Sequence, residues 1–241
     1  MPQPLPDPAD PQPAVPAAVS GSDTAAPRPR AWVPIRTLAP KHRRLVLNHL
    51  LALPERDRYL RFGYLATNEQ IGRYIDGLNF ERDEVFGVFN RQLKIVALAH
   101  LACPDAGNPL ASTAAATAEF GGSVLPHLRG QGFGTLLFEH AMLHARNRGL
   151  HRLFIHALSE NTVMLRIARR AGATVERSGT ESDAYLRLPD DTLASHAEAL
   201  VGAGAAAIDY GYKLLGSLGA QADPDVDATT EATPGPPTDQ R

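Results

Sequence analysis

Between residues 31 and 189 the spacing of apolar side chains switches repeatedly between a period near two and a period near 3.6. Residues 32–38 read as a first strand, and Pro34 inside it marks an edge or an irregular start. Residues 42–53 place Leu47, Leu50 and Leu51 on one helical face, and Pro54 stops that helix. Thr67 and Gln70 form a capping box ahead of Ile71, Tyr74, Ile75 and Leu78 at helical spacing. The apolar runs 85–89 and 93–101 are joined by Asn90-Arg91-Gln92 as a hairpin. Residues 118–125 alternate as a strand, and 132–147 form a helix ended by Gly149. After them come a buried strand at 152–157, a helix at 161–170, and two closing strands at 174–177 and 184–188. The order is strand, two helices, three strands, helix, strand, helix, two strands. It predicts an α/β (α+β) domain with a mixed sheet of about seven strands and helices on both faces.

The ends of the chain have a different character. Residues 1–30 are dominated by Pro, Ala and Asp, and 221–241 are similar, so neither offers enough apolar surface to offset the entropy of ordering. They read as a disordered arm and tail around a folded domain at 31–189 and an added helical segment at 190–220. That segment could bind a partner or dock on its own domain, with Leu214 and Leu215 as candidates to cover part of the core. A net charge of −2 gives no general attraction to nucleic acid or to anionic membranes. No apolar run is long enough to span a bilayer, no signal-peptide order opens the chain, and Cys103 is the single cysteine, which suits a cytoplasmic protein. Arginines gather between Arg129 and Arg177, a local basic surface that suits a small polyanion.

The most informative local feature is Arg129-Gly130-Gln131-Gly132-Phe133-Gly134-Thr135, which follows a strand and opens a helix. A helix N-terminus carries unpaired N–H groups and partial positive charge, so it binds phosphate oxygens. Glycines remove the side chains that would hold a ligand away from the backbone. Arg129 adds a cation and Thr135 a hydroxyl. A P-loop would need Gly-Lys-Ser/Thr after a longer spacer, and a dinucleotide fingerprint would need a third glycine at Thr135; neither is present.

With these residues in view, Arg129-x-x-Gly132-x-Gly134 resembles the acetyl-CoA motif of the GNAT superfamily of N-acetyltransferases, and the resemblance extends over residues 32–188. Asn161 falls where the family places a cofactor-contacting asparagine, and Met164 to Gly172 is similar to its fourth major helix. The segments Pro34-Ile35-Arg36, Asp57-Arg58-Tyr59-Leu60-Arg61-Phe62 and Gly87-Val88-Phe89 resemble the catalytic domains of bacterial protein lysine acetyltransferases. The resemblance implies acetyl-CoA as co-substrate, with Gly122, Ser123 and Val124 lining its pantetheine arm and Gly130, Gln131, Gly132, Phe133, Gly134 and Thr135 holding its pyrophosphate beside Arg129.

An amine acceptor is largely protonated at neutral pH, so transfer needs a base. Strand alternation puts Glu119 on one face with Gly121 and Ser123, and the resemblance to bacterial protein lysine acetyltransferases, which often carry Glu here in an Ala-Glu-Phe context, implies Glu119 as that base. The tyrosine that many family members carry seven residues after the asparagine is Ala168 here. A water, Ser123 or a tyrosine from elsewhere could protonate the leaving group. His140 and His144 lack a third ligand and read as an exposed helix face, so no metal is expected; Cys103 reads as a small core residue. The first reading is therefore direct transfer of acetyl from acetyl-CoA to a primary amine, either a protein lysine or a small amine. A homodimer is left open, and the alternative is a non-catalytic acyl-CoA-binding sensor or interaction module.

Overall fold

The computed structural model describes residues 33–105 and 117–219; the expected arm at 1–30 and tail at 221–241 lie outside them. Seven strands, β1 (Ile35–Thr37), β2 (Glu84–Phe89), β3 (Ile95–Ala102), β4 (Thr117–Val124), β5 (Arg152–Leu158), β6 (Thr174–Ser178) and β7 (Glu181–Arg187), form one sheet in the order β1-β2-β3-β4-β5-β7-β6. Every neighbouring pair is antiparallel except β4 and β5, which run parallel. Helices α1 (Arg43–Leu51), α2 (Glu55–Phe62) and α3 (Asn68–Asp76) precede β2, α4 (Phe133–Asn147) joins β4 to β5, α5 (Thr162–Arg170) follows β5, and α6 (Leu193–Gly219) comes last. The mixed sheet with helices on both faces is the architecture that the apolar periodicity predicts, and its mainly antiparallel pairing is the one that the family resemblance implies.

Alternation along the strands builds two cores. Phe86, Val88, Leu101, Phe120, Leu153 and Ile155 face α4 and α5, where they meet Leu137, Phe138, Leu165 and Ala168. Val85, Phe89, Ile95 and Leu98 face the other way, onto Val46 and Leu50 of α1 and Ile71 and Ile75 of α3. The Thr67–Gln70 capping box forms, with Thr67 N–H donating to Gln70 Oε1 at 2.8 Å and Gln70 N–H to Thr67 Oγ1 at 3.3 Å. On α1 the buried stripe is Val46, His49 and Leu50, whereas Leu47 and Leu51 are only partly buried.

Three expectations need correction. The helix count before β2 is three, because α2 is a helix without an apolar stripe, and Asp57 is its buried residue. His140 and His144 do not form an exposed face: their rings pack on Phe86 at 4.7 and 4.8 Å, and His144 Nδ1 donates to Glu84 Oε2 at 2.6 Å. Burial pushes the His140 imidazole down to about 4. Leu214 and Leu215 are exposed, so they do not cover the core. Instead α6 docks through Tyr210, whose ring meets Phe89 at 5.1 Å and carries the Arg36 guanidinium 3.8 Å from its centroid, and through Lys213 Nζ, which donates to Phe89 O at 2.8 Å. Among the described residues no helix is long and apolar enough to cross a membrane, and no cluster of three or more His, Cys, Asp or Glu could hold a metal ion.

Tyr210→Ala removes an aromatic pair and a cation–π contact, each worth about 0.5–1.5 kcal/mol, so it should destabilise the domain by about 1–3 kcal/mol in urea unfolding. A change below about 0.5 kcal/mol would mean that α6 contributes little to the fold through this ring.

Candidate active site

The parallel pair at the centre of the sheet is short. Thr117, Ala118 and Glu119 pair with Arg152, Leu153 and Phe154, and there the pairing stops. From that point β4 stays with β3 as far as Val124, while β5 stays with β7 as far as Leu158. The two strands therefore splay, and among the described residues β4 has no strand partner on its β5 side from Phe120 to Val124. A cleft of about 140 Å³ opens in the wedge, and Arg61, Glu119, Gly121, Gly122, His156 and Asn161 are among its lining residues.

Side-chain demands on β4 explain its shape. Phe120 points into the α4 core, edge-on to Phe138 at 4.9 Å. A Cβ on Gly122 would lie 3.1 Å from Phe120 Cζ, so the glycine lets that ring sit over the backbone. A Cβ on Gly121 would lie 2.6 Å from Arg61 Cζ and Nη1, so the side-chain slot at 121 is filled by the guanidinium of α2. Glu119 is exposed on the same face of β4, at the point of divergence, and has no hydrogen-bond or ion-pair partner among the described residues.

Beyond β4 a 3-10 turn over Pro126–Leu128 leads into the glycine loop. Gly130 and Gly132 have φ of +76° and +87°, the left-handed region that side chains disfavour. Gly132 is the N-cap of α4 and has no capping side chain, and the first intrahelical bond runs from Leu136 N–H to Gly132 O at 3.0 Å. The amides of Phe133, Gly134 and Thr135 thus have no intrahelical acceptor, which suits an anion at the helix end. Gly134 serves packing as well, because a Cβ there would be 3.2 Å from Ile167 Cδ1 of α5. Arg129 forms an ion pair with buried Asp57 of α2 and donates from Nε to Val124 O at 3.3 Å.

Two polar chains stabilise the cleft wall. His49 Nδ1 is 3.0 Å from Ile95 O, an acceptor, so Nδ1 carries the proton; burial pushes this imidazole down to about 4, and it is neutral. Its Nε2 is then an acceptor, and Ser123 Oγ–H donates to it at 2.9 Å. The second chain begins at Arg61, whose Nη2 donates to the Tyr74 hydroxyl at 3.0 Å. That hydroxyl donates to His100 Nδ1 at 2.7 Å, and His100 Nε2–H donates to Asp83 Oδ2 at 3.3 Å. Burial, followed by the Arg61 charge, holds His100 below its usual range, consistent with a neutral ring that accepts on one nitrogen and donates on the other.

Of the residues singled out from sequence, Glu119, Gly122 and Asn161 line the cleft. Asn161 is also occupied structurally: its Oδ1 accepts from Met164 N–H at 3.2 Å as the cap of α5, and its Nδ2 donates to Leu60 O at 3.3 Å. Ser123 and Val124 lie farther along the β4 edge, and the loop from Arg129 to Thr135 follows that edge. Ser123 commits its proton to His49, so it is not poised to protonate a leaving group. Ala168 is fully buried against the sheet, so its position does not address the cleft. Sequence reasoning missed Arg61, His49 and the Tyr74–His100–Asp83 chain; Tyr74 and His100 sit in otherwise apolar patterns, a signal that they are polar groups with buried partners.

The acetyltransferase (GNAT) domain model matches residues 33–174. No curated protein sequence matches the chain. Among solved structures, the GNAT domain of S. lividans PAT superposes with a TM-score of 0.54 at 20% identity, over 64% of this chain and 89% of that one. A candidate acetyltransferase from Acinetobacter baylyi ADP1 gives 0.52 at 12% identity, over 65% and 93%. A candidate phosphinothricin N-acetyltransferase gives 0.51 at 17% identity, over 67% and 100%. These are likenesses of fold.

The buried histidines set a pH dependence. His49 and His140 are both near 4 when folded and near 6.5 when unfolded, so the unfolded chain binds more protons between those values. Their contribution to stability is complete above pH 6.5 and is lost as pH falls toward 4. Urea midpoints should therefore drop over that window, at up to about 1.4 kcal/mol per pH unit for each ring. Flat midpoints from pH 7 to 4.5 would show that neither ring is held neutral.

Proposed function

The chain belongs to the GNAT acetyltransferase family, and on that premise we propose that it transfers an acetyl group from acetyl-CoA to a primary amine, a protein lysine or a small amine, in a direct ternary complex. The observation that carries the reading is the coincidence at one place of an unpaired strand edge, an uncapped helix N-terminus and a carboxylate at the point of splay. Acetyl-CoA supplies the acetyl group as an activated thioester. The chain's residues bind, orient and deprotonate. The free amides of Phe133, Gly134 and Thr135, with the backbone of Gly130, Gln131 and Gly132, suit the pyrophosphate, and the Thr135 hydroxyl lies in the same turn. Arg129 would join them by exchanging Asp57 for a phosphate oxygen. The open edge at Gly122, Ser123 and Val124 suits an amide-bearing arm, with Asn161 on the opposite wall. Glu119 takes a proton from the acceptor ammonium, directly or through water, to free the lone pair that attacks the thioester carbonyl. The C–S bond breaks as the C–N bond forms, and the second amine proton passes through water to the departing CoA sulfur.

A second reading has one observation in its favour: no tyrosine, serine or cysteine is among the residues lining the cleft, and Ala168 is in the core. A chain that binds acyl-CoA without turning it over would look like this. Kinetics separates the two.

Gly132→Val places a branched side chain at φ +87° and should weaken acetyl-CoA binding about 10²–10⁴-fold by calorimetry, the loss of about two charge-assisted contacts. The companion change is Gly134→Ala, because valine there would strike Ile167 and disturb the α4–α5 packing. Unchanged affinity in Gly132→Val would remove the loop from the binding site.

Glu119→Gln should leave acetyl-CoA affinity intact and lower kcat/KM for a responsive amine about 10²–10⁴-fold, with the gap narrowing as pH rises and the amine loses its own proton. A change below about threefold would remove Glu119 from the proton path.

A further inference from the structure

On one face of β4 the side-chain slots at 119 and 121 hold opposite charges. Glu119 fills the first with its own carboxylate. Gly121 leaves the second empty, and the Arg61 guanidinium of α2 occupies it, with Cζ, Nη1 and Nη2 all within 2.7 Å of where a Cβ would stand. Residues two apart on a strand are spaced about 6.6 Å on the same face. Despite that proximity, no ion pair joins Arg61 to Glu119 or to any other carboxylate among the described residues. Both residues line the same cleft, as does His156 of β5.

Arg61 is also held in place. Its Nη2 is fixed on Tyr74, Tyr74 on His100 and His100 on Asp83, with every proton directed away from the guanidinium. Its Nε is buried with no partner, and no described acceptor takes Nη1. A partly buried guanidinium with unspent donors and no counter-ion suits a ligand anion, because such a cation is otherwise costly to keep out of water. A carboxylate matches its fork. On that reading the acceptor's ammonium lies within direct or one-water reach of Glu119, so the anion is a neighbour of the amine.

We propose that the acceptor is an amine bearing an adjacent carboxylate, as in a free α-amino acid, with Arg61 as the carboxylate ligand and Glu119 as the proton acceptor. The inference rests on the acetyl-transfer reading and narrows its substrate class. Arg61 is then a specificity residue, placed over β4 by the Asp83–His100–Tyr74 chain and by the absence of a side chain at Gly121.

The test uses the full chain and acetyl-CoA, with thioester consumption measured across the free amino acids, their carboxamides, a lysine peptide and spermidine. Free amino acids should be preferred, and conversion of the best one to its carboxamide should lower kcat/KM by about 10²-fold or more, since the ligand of a partly buried cation is lost. Arg61→Lys and Arg61→Gln should raise KM for the amino acid and abolish its advantage over the carboxamide. Gly121→Ala, which evicts the guanidinium without altering it, should do the same. Melting temperature and acetyl-CoA affinity identify a variant that merely misfolds, while the comparison of acid with carboxamide needs no variant. Equal rates for acid and carboxamide, or a preference for the peptide or polyamine, would overturn the inference and leave acetyl transfer standing. If succinyl-CoA outpaces acetyl-CoA on amines without a carboxylate, and Arg61→Gln cancels that gain, the carboxylate belongs to the donor and the assignment to the acceptor fails. No turnover with any amine, in a protein that binds acetyl-CoA, would overturn both readings.

Discussion

The site depends on β4 leaving β5 after three paired residues while staying paired with β3 to its end. A strand in the middle of a sheet ordinarily spends its backbone groups on both neighbours, because unpaired N–H and C=O groups are costly to bury. Here the second half of β4 spends them on one side only, and the wedge that results is wide enough for a ligand. The glycine pair permits this. Gly122 lets Phe120 fold over the backbone toward α4, and Gly121 admits a guanidinium from the opposite side. Side chains at these two positions would push α2 outward and displace Phe120 from the core. The cleft is thus a consequence of packing on both faces of one strand.

The wall of the cleft is maintained by hydrogen bonds that all have a determined direction. Ile95 O fixes the His49 tautomer, which fixes the direction of the Ser123 hydroxyl. Asp83, which also accepts from Cys103 N–H and from Arg82, fixes His100 and through it Tyr74. Burial pushes the His49 imidazole down to about 4 and holds His100 below its usual range, and neutral rings are what such chains require, since each must accept on one nitrogen. A satisfied polar network in a low-dielectric interior gives one arrangement of its groups a clear advantage over others. Its value here is positional: it specifies where Arg61 and Ser123 stand.

What could be read from the sequence follows from how local each cause is. The elements and their order along the chain were legible because the apolar runs at 85–89 and 93–101, the alternation at 118–125 and the helical spacings are properties of each segment alone. The loop was legible because Gly130 and Gly132 are glycine for a backbone reason, positive φ, that needs no partner. Helix α2 was not, since its residues are mostly charged and its contacts are with distant carbonyls: Arg58 donates to Leu51 O and Leu53 O, and Asn161 donates to Leu60 O. His140 and His144 were misread because a binary pattern scores histidine as polar, whereas α4 packs them on Phe86. Glu119 could be singled out within its strand. Arg61 could not be placed beside it, since the two are 58 positions apart in sequence (119 against 61) and meet only through the missing side chain of Gly121. The family and the fold stand on the match over 33–174 and on the sheet itself.

Helix α2 connects these observations. It carries Asp57 against Arg129 of the glycine loop, Leu60 O against the α5 cap at Asn161, Arg56 against Glu160, and Arg61 in the slot of β4. Each contact is polar, and together they reach the loop, the cap and the strand that surround the cleft. Apolar packing contributes Phe62, which is only partly buried. Arg58 of the same helix donates to Leu51 O, Leu53 O and Asn68 Oδ1, so α2 is fixed by directed hydrogen bonds where α1, α3 and α4 are fixed by apolar stripes. Asp57 and Arg61 stand one turn apart on it, at i+4. One short helix whose sequence gives almost no apolar signal thus ties the glycine loop to the slot of β4.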